Sequence, residues 1–144
     1  MSQEISTIKT QIIDEFNQFA DWTERYKYLI AIGKDIPNMP EGSKTDDNIV
    51  KGCQSRVWLH AELEEGKINF TADSDAAIVR GLIALLVRFY SGQDPETIFS
   101  TPPDFITEIG MDQHLSMTRS NGLASMVKQM KIYAMAYKAK MNRA

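Results

Sequence analysis

The sequence predicts an α+β fold in which two helices precede, and four helices follow, a small antiparallel sheet of two to three strands. Three observations predict this class. Apolar residues recur at helical spacing on both sides of residues 56–72, that middle segment instead alternates apolar and polar residues, and a turn signal divides it. With 144 residues, 43% of them hydrophobic, the chain has the size of one domain, and we expect residues 1–144 to form it.

Two amphipathic helices are predicted at the start of the chain. The apolar face of the first consists of Ile5, Ile8, Ile12, Phe16 and Phe19. Asp21, with Glu24 three residues later, is a capping-box-like start for the second helix, which should end near Gly33. Residues 35–51 are polar and predict a long connection with at most a short edge strand at 49–50.

Two strands are predicted where apolar and polar side chains alternate, at residues 56–63 and 68–72. The turn signal at 65–66 makes them an antiparallel hairpin. The side chains opposite the apolar face are those of Arg56, Trp58, His60 and Glu62. We interpret Trp58 as a packing residue and His60 as an exposed strand residue.

Four helices are predicted after the hairpin. Residues 73–75 supply the acidic start of the first, so Asp73 and Asp75 need no other role, and prolines open the next two short helices. The last helix has an apolar stripe formed by Leu123, Met126, Val127, Met130, Tyr133, Ala134 and Tyr137. Met126 and Met130 are therefore interpreted as core and not as metal ligands. Lys138, Lys140 and Arg143 suit the negative end of that helix.

Composition excludes several classes of function. The net charge is −3, from 16 basic and 19 acidic residues, so nucleic acid is not an expected partner. One cysteine and two histidines, His60 and His114, form neither a disulfide nor a zinc cage, and we expect no metal. Residues 76–90 are apolar but too short and too charged to span a bilayer, and the N-terminus does not resemble a signal peptide. We expect a cytoplasmic protein with a free thiol.

The one cysteine, Cys53, lies between the polar connection and the first strand. Its neighbours are small or polar: Lys51, Gly52, Gln54 and Ser55. This context predicts a loop tip or tight turn, in which Gly52 permits a positive φ. Lys51 and Arg56 are expected to favour the thiolate, which is the reactive form. The alternative is a buried and inert cysteine, because free cysteine is often buried.

A lone exposed thiol supports few reactions. An iron–sulfur scaffold needs three or four ligands, and dithiol redox chemistry needs a second cysteine. A thiol hydrolase needs a histidine base, for which His60, about 20 Å along an extended strand, is a poor partner. His114 remains open in that role, although we interpret it as structural. One-thiol sulfur relay needs only Cys53, which attacks the outer sulfur of a donor persulfide.

Residues 51–59, KGCQSRVWL, resemble the Gly-Cys-Gln-Ser-x-Val-Trp signature of the SufE family, whose members are sulfur-acceptor partners of cysteine desulfurases. The resemblance continues at residues 21–26, 73–84 and 113–123, so it covers nearly the whole chain in register. It implies an α+β fold shared with IscU-type scaffolds. It also implies that Cys53 takes sulfane sulfur from a SufS- or CsdA-like desulfurase, which holds the pyridoxal phosphate. This chain would thereby stimulate the desulfurase and deliver the sulfur toward an iron–sulfur scaffold.

The resemblance also directs attention to the residues around Cys53. We predict contacts with the partner or with the persulfide anion from Lys51, Gly52, Gln54, Ser55, Arg56 and Arg119. Arg119 is expected just before the last helix, facing the cysteine loop or the desulfurase. At rest the thiol is expected in a shallow apolar hollow beside the sheet, from which the loop swings out on docking. The chain is expected to be a monomer or weak homodimer. A binding module that regulates a desulfurase without carrying sulfur is the alternative from another class.

Overall fold

The computed structural model describes residues 4–37 and 39–142, and it confirms the α+β class and the predicted order of elements. The helices and strands are α1 (Ile5–Asn17), α2 (Trp22–Lys34), β1 (Val57–Glu64), β2 (Lys67–Ser74), α3 (Ala77–Tyr90), α4 (Pro95–Ser100), α5 (Phe105–Glu108) and α6 (Met117–Asn142). Short 3₁₀ turns occupy Glu41–Ser43, Asp46–Asn48 and Met111–His114. The predicted C-terminal cation Arg143 lies outside the described residues.

The two strands form one antiparallel hairpin in the predicted register. Pairing runs from Val57 opposite Ser74 to Glu64 opposite Lys67. Both turn residues have positive φ, +53° at Glu65 and +81° at Gly66, which matches the twist of a two-residue hairpin turn. The edge strand expected at 49–50 is reduced to one isolated bridge to β1, so the sheet has two strands within the described chain.

The alternating side chains of the hairpin separate a core face from an outer face. Val57, Leu59 and Ala61 are buried, as predicted, whereas Trp58 and His60 are partly exposed. Helix α3 packs against β2, and its buried apolar residues are Leu82, Ile83, Leu85, Leu86, Phe89 and Tyr90. Burial of these apolar side chains is the main stabilising contribution to the domain.

Helices α2 and α3 approach each other through glycine. A Cβ atom on Gly81 would lie 2.3 Å from the Leu29 carbonyl oxygen, and one on Gly33 would lie 2.7 Å from the Gly81 nitrogen. No side chain of any size can therefore replace hydrogen at either position without moving backbone. The contact sets the separation of the two helices.

A polar cross-link joins the first three helices. Arg88 of α3 donates two hydrogen bonds to the Glu15 carboxylate of α1, at 2.8 and 2.5 Å, and the Tyr28 hydroxyl of α2 donates to the same carboxylate. The hydrogen bonds from Arg88 hold the pKa of Glu15 below its usual value. Burial, and then the carboxylate, raise the pKa of Tyr28 to about 12. The cluster remains paired throughout the neutral range.

The start of α3 differs from the prediction. Asp73 and Ser74 belong to β2, and the residue before the helix is Ala76, which offers no side-chain cap. The ladder continues to the Val57–Ser74 pair, so these backbones are already occupied as strand. Asp73 instead forms ion pairs with Lys44, at 2.9 Å, and Arg80, at 3.0 Å. The interpretation of Asp73 and Asp75 as helix-start residues is wrong.

The last helix packs along the hairpin and α4 as its stripe predicts. Met126, Met130 and Ala134 are buried, so the methionines belong to the core. The Tyr137 hydroxyl donates to the Ala61 carbonyl of β1 at 2.9 Å. Asp94 caps α4 by accepting from the Thr97 nitrogen, as the Asp-Pro pair indicates. Within the described residues, no helix is long and apolar enough to cross a bilayer.

Replacing Gly81 with alanine should destabilise the protein. Alanine favours a helix over glycine by about 1 kcal/mol. The clash with the Leu29 carbonyl should nevertheless lower the free energy of unfolding by about 1–3 kcal/mol, as overpacking does. Urea denaturation measures the change. Gly42→Ala is the matched control, because a Cβ there meets nothing within 4 Å. Equal midpoints for the two variants would contradict the close packing.

Candidate functional site

The cysteine loop is a tight turn held against α6. A hydrogen bond from the Val50 nitrogen to the Val57 carbonyl, at 2.8 Å, closes its base. Gly52 has φ +95°, and a Cβ there would lie 2.4 Å from the Ser125 hydroxyl of α6. Glycine is therefore required both by the backbone conformation and by the close approach of the helix. The predicted turn with a positive φ at Gly52 is confirmed.

The thiol of Cys53 points to α6. Its Sγ donates a weak hydrogen bond to the Gly122 carbonyl oxygen, at 3.4 Å. A Cβ on Gly122 would lie 3.5 Å from the same sulfur, an ordinary van der Waals contact. Cys53 is half-buried, so the thiol is sheltered but not sealed into the core. The alternative of a fully buried, inert cysteine therefore does not apply to Cys53.

The thiol opens into a cavity of about 400 Å³ between the loop, α3 and the first turns of α6. Its apolar wall is formed by Val79, Leu82, Ile83, Leu123 and Met126. Its polar rim is formed by Gln54, Ser55, Ser116, Thr118 and Arg119. The apolar wall agrees with the hollow that the sequence predicts for the resting thiol. Its predicted position beside the sheet is wrong, because the described lining comes from the loop, α3 and α6 and from neither strand.

Burial raises the pKa of the Cys53 thiol, and no charged group among the described residues opposes that shift. The expectation that Lys51 and Arg56 favour the thiolate is wrong in this conformation. Lys51 lines a separate polar cavity with Asp46 and Ser125, and the Arg56 side chain is exposed. The thiol is therefore protonated at neutral pH while the loop rests on α6. The contacts predicted between these two cations and a partner stay a prediction.

Arg119 is placed inside α6 and not before it. It is the third residue of the helix, and its backbone nitrogen donates to the Ser116 hydroxyl at 3.2 Å. The exposed side chain lines the cavity that contains the thiol. Of the predicted contact residues, the fold brings Gln54, Ser55 and Arg119 to one cavity with Cys53.

Two residues that touch the cysteine loop were not predicted as part of the site. Gly122 provides the carbonyl for the thiol, and Ser125 provides the surface on which Gly52 rests. Both lie on one face of α6, three residues apart. Gly122 lies within the last segment of the family resemblance, residues 113–123, and Ser125 lies two residues beyond it. Their small size at this place is the signal that could have identified them.

Both histidines have structural surroundings. The His114 ring stacks on Trp22 with centroids 3.6 Å apart, and its carbonyl accepts from the Tyr26 hydroxyl. It is not among the described residues that line the thiol cavity, so nothing supports it as a base for Cys53. His60 Nε2 lies 3.3 Å from a Glu62 carboxylate oxygen on the outer face of the hairpin. The thiol hydrolase therefore has no structural support.

Comparison with known proteins gives a consistent result. Residues 10–134 match the family described as "SufE: Fe-S metabolism associated domain". An uncharacterized SufE-like protein of Rhizobium meliloti is 44% identical over 126 residues, which cover 84% of this chain and 90% of the relative. One from Synechocystis is 38% identical over 127 residues, which cover 88% of this chain and 80% of the relative. The solution structure of a hypothetical protein from Thermus thermophilus has the same fold, with a TM-score of 0.74 and 22% identity. The match covers 90% of this chain and 94% of that protein.

Replacing Gly52 with alanine should release the loop from α6. The added Cβ meets the Ser125 hydroxyl, and φ +95° is unfavourable for alanine. We expect iodoacetamide to alkylate Cys53 several-fold faster than in the wild type. Adding Ser125→Ala removes the steric part and should restore part of the protection, with Ser125→Ala alone as control. An unchanged alkylation rate in Gly52→Ala would contradict the close contact.

The pH dependence of alkylation should report the raised pKa. Because the folded thiol is desolvated, the half-maximal rate should occur at a higher pH than for the same thiol in urea-unfolded protein. Arg119→Ala should leave the folded profile in place, since burial alone causes the shift. A folded profile displaced to lower pH, or one that Arg119→Ala moves upward, would show instead that a cation activates the thiol.

Proposed function

Since this chain belongs to the SufE family, which is associated with Fe-S metabolism, we propose that it accepts sulfane sulfur on Cys53 from a cysteine desulfurase. In removing that sulfur it stimulates the desulfurase, and it carries the sulfur toward iron–sulfur cluster assembly. The observation that carries the proposal is the position of the one cysteine, at a cavity with an apolar wall and a polar rim. The pyridoxal phosphate belongs to the desulfurase.

The proposed transfer is one thiol–persulfide exchange. The Cys53 thiolate attacks the outer sulfur of the donor persulfide, and a new S–S bond forms on Cys53. The donor's own S–S bond breaks, and its electron pair leaves on the donor sulfur, which takes up a proton. The proton of Cys53 passes to solvent. One sulfur atom changes carrier, with no net oxidation or reduction. A second thiol then removes the outer sulfur from Cys53 by the same exchange.

The resting geometry defines what must happen before this attack. The Cys53 thiol is protonated and bonded to the Gly122 carbonyl, so its reactive thiolate form is disfavoured while the loop lies on α6. Moving the loop outward exposes the sulfur to water and removes the desolvation that raises its pKa. Arg119, on the rim, is positioned for contact with the persulfide anion or with the donor. Shielding at rest also protects the thiol from oxidation, which is consistent with a cytoplasmic carrier.

Intact-mass spectrometry tests the proposal directly. The protein is incubated with a pyridoxal-phosphate-loaded cysteine desulfurase and L-cysteine, beside the Cys53→Ser variant. We expect wild type to gain about 32 Da per sulfur atom, reversibly under reductant, and the variant to gain nothing, because persulfide forms only on the attacking thiol.

Desulfurase turnover is measured in the same reactions. Loss of stimulation in Cys53→Ser would accompany the loss of the mass gain if the thiol carries sulfur. Stimulation that persists in Cys53→Ser, without a mass gain in wild type, would identify a binding module and reject the sulfur carrier. Absence of both effects in wild type would reject the proposed function.

A further inference from the structure

A second apolar cavity, which we call the α6 groove, lies between α6 and the α4–α5 segment. Its volume is about 660 Å³. Its lining includes Phe99, Leu123, Lys128, Lys131, Ile132 and Met135. Three of these are large apolar side chains exposed to solvent: 44% for Phe99, 46% for Ile132 and 54% for Met135. Grouped exposed side chains of this kind are typical of an interaction surface, whereas scattered ones are not.

The charges that border the groove are mainly positive. Lys128 and Lys131 line it from α6, and neither forms an ion pair with a carboxylate among residues 4–37 and 39–142. Lys138, one turn beyond the groove, is in contrast paired with Glu96. One carboxylate, Asp112, also lines the groove. The surface is therefore complementary to apolar side chains bordered by acidic groups.

The groove adjoins the cavity of the thiol. Leu123 lines both cavities, and Gly122, the residue before it, holds the Cys53 thiol. A partner bound in the groove thus contacts the same turn of α6 that shelters the sulfur. Binding energy gained there is available to a partner that must also displace the cysteine loop.

We propose that the α6 groove is a docking surface for the desulfurase, occupied by an apolar segment bordered by acidic residues. The inference rests on the proposed function. Sulfur uptake is the step that needs this docking energy, because Cys53 must leave Gly122 and lose its proton before it attacks. In the release step Cys53 already carries the outer sulfur, and the next acceptor provides the attacking thiolate. The donor is therefore the partner assigned to the groove.

Paired variants on α6 test the docking surface. Lys131→Glu and Met135→Ser alter the groove, while Lys140→Glu and Met141→Ser make the same changes on exposed residues outside its lining. Each full-length protein is titrated against the desulfurase used for the mass measurement. We expect the groove variants to raise the concentration for half-maximal stimulation about tenfold, as loss of an interface anchor does. The controls should match wild type, and maximal stimulation should be retained.

Each other outcome overturns the inference in a distinct way. If wild type takes up sulfur on Cys53 and stimulates the desulfurase while all four variants match it, the groove is not the docking surface and the proposed function stands. If the groove variants only abolish self-association in analytical ultracentrifugation, the occupant is a second copy of this chain. If wild type neither stimulates the desulfurase nor takes up sulfur on Cys53, the proposed function and the inference fail together. Unchanged alkylation of Cys53 in the free groove variants verifies that the thiol cavity is intact.

Discussion

The contact between the cysteine loop and α6 is the interaction on which the site depends. Gly52 rests on Ser125, and the Cys53 thiol bonds to the Gly122 carbonyl. These contacts are short because each involves a residue with little or no side chain. They place the sulfur at the cavity and partly shield it from water, which raises its pKa. In the proposed function, shelter and activation of the thiol are the closed and open states of this one contact.

The rest of the fold holds the two sides of that contact in place. The hairpin carries the C-terminal end of the loop, and Tyr137 ties β1 to α6 through the Ala61 carbonyl. The close approach of α2 and α3 at Gly81 positions the α3 wall of the cavity. The Glu15–Arg88 pair then fixes α1 to α3. Rigid surroundings around a short loop restrict motion to the segment that bears the reactive atom.

The sequence predicted the elements whose determinants are local. The alternation in residues 56–72, the Asp21 cap and the glycine of the cysteine turn each act within a few residues, and each is confirmed. The start of α3 was wrong because cap-forming residues at 73–75 also suit the end of a strand. Pairing with β1 across the hairpin decided between the two structures.

The site itself was predictable only in part. Cys53 was identified because it is the one cysteine and because its neighbours resemble a family signature. Gly122 was not, since it meets Cys53 across 69 residues of sequence. The predicted activation by Lys51 failed for a related reason, because adjacency along a tight turn does not make two side chains point the same way. Long-range packing determines which charges reach the thiol.

The anchored base of the loop limits how far Cys53 can move. Val50 is bonded to Val57, and Lys44, farther back, is bonded to Asp73. Arg56 is anchored too, because its carbonyl accepts a hydrogen bond from the Ser74 hydroxyl at 2.7 Å. Only residues 51–55 can therefore swing, and Cys53 is three residues from each anchor. Even fully extended, those three residues span about 11 Å. The proposed sulfur donor would therefore have to bring its persulfide within reach of a Cys53 Cα that stays inside that radius of Val50.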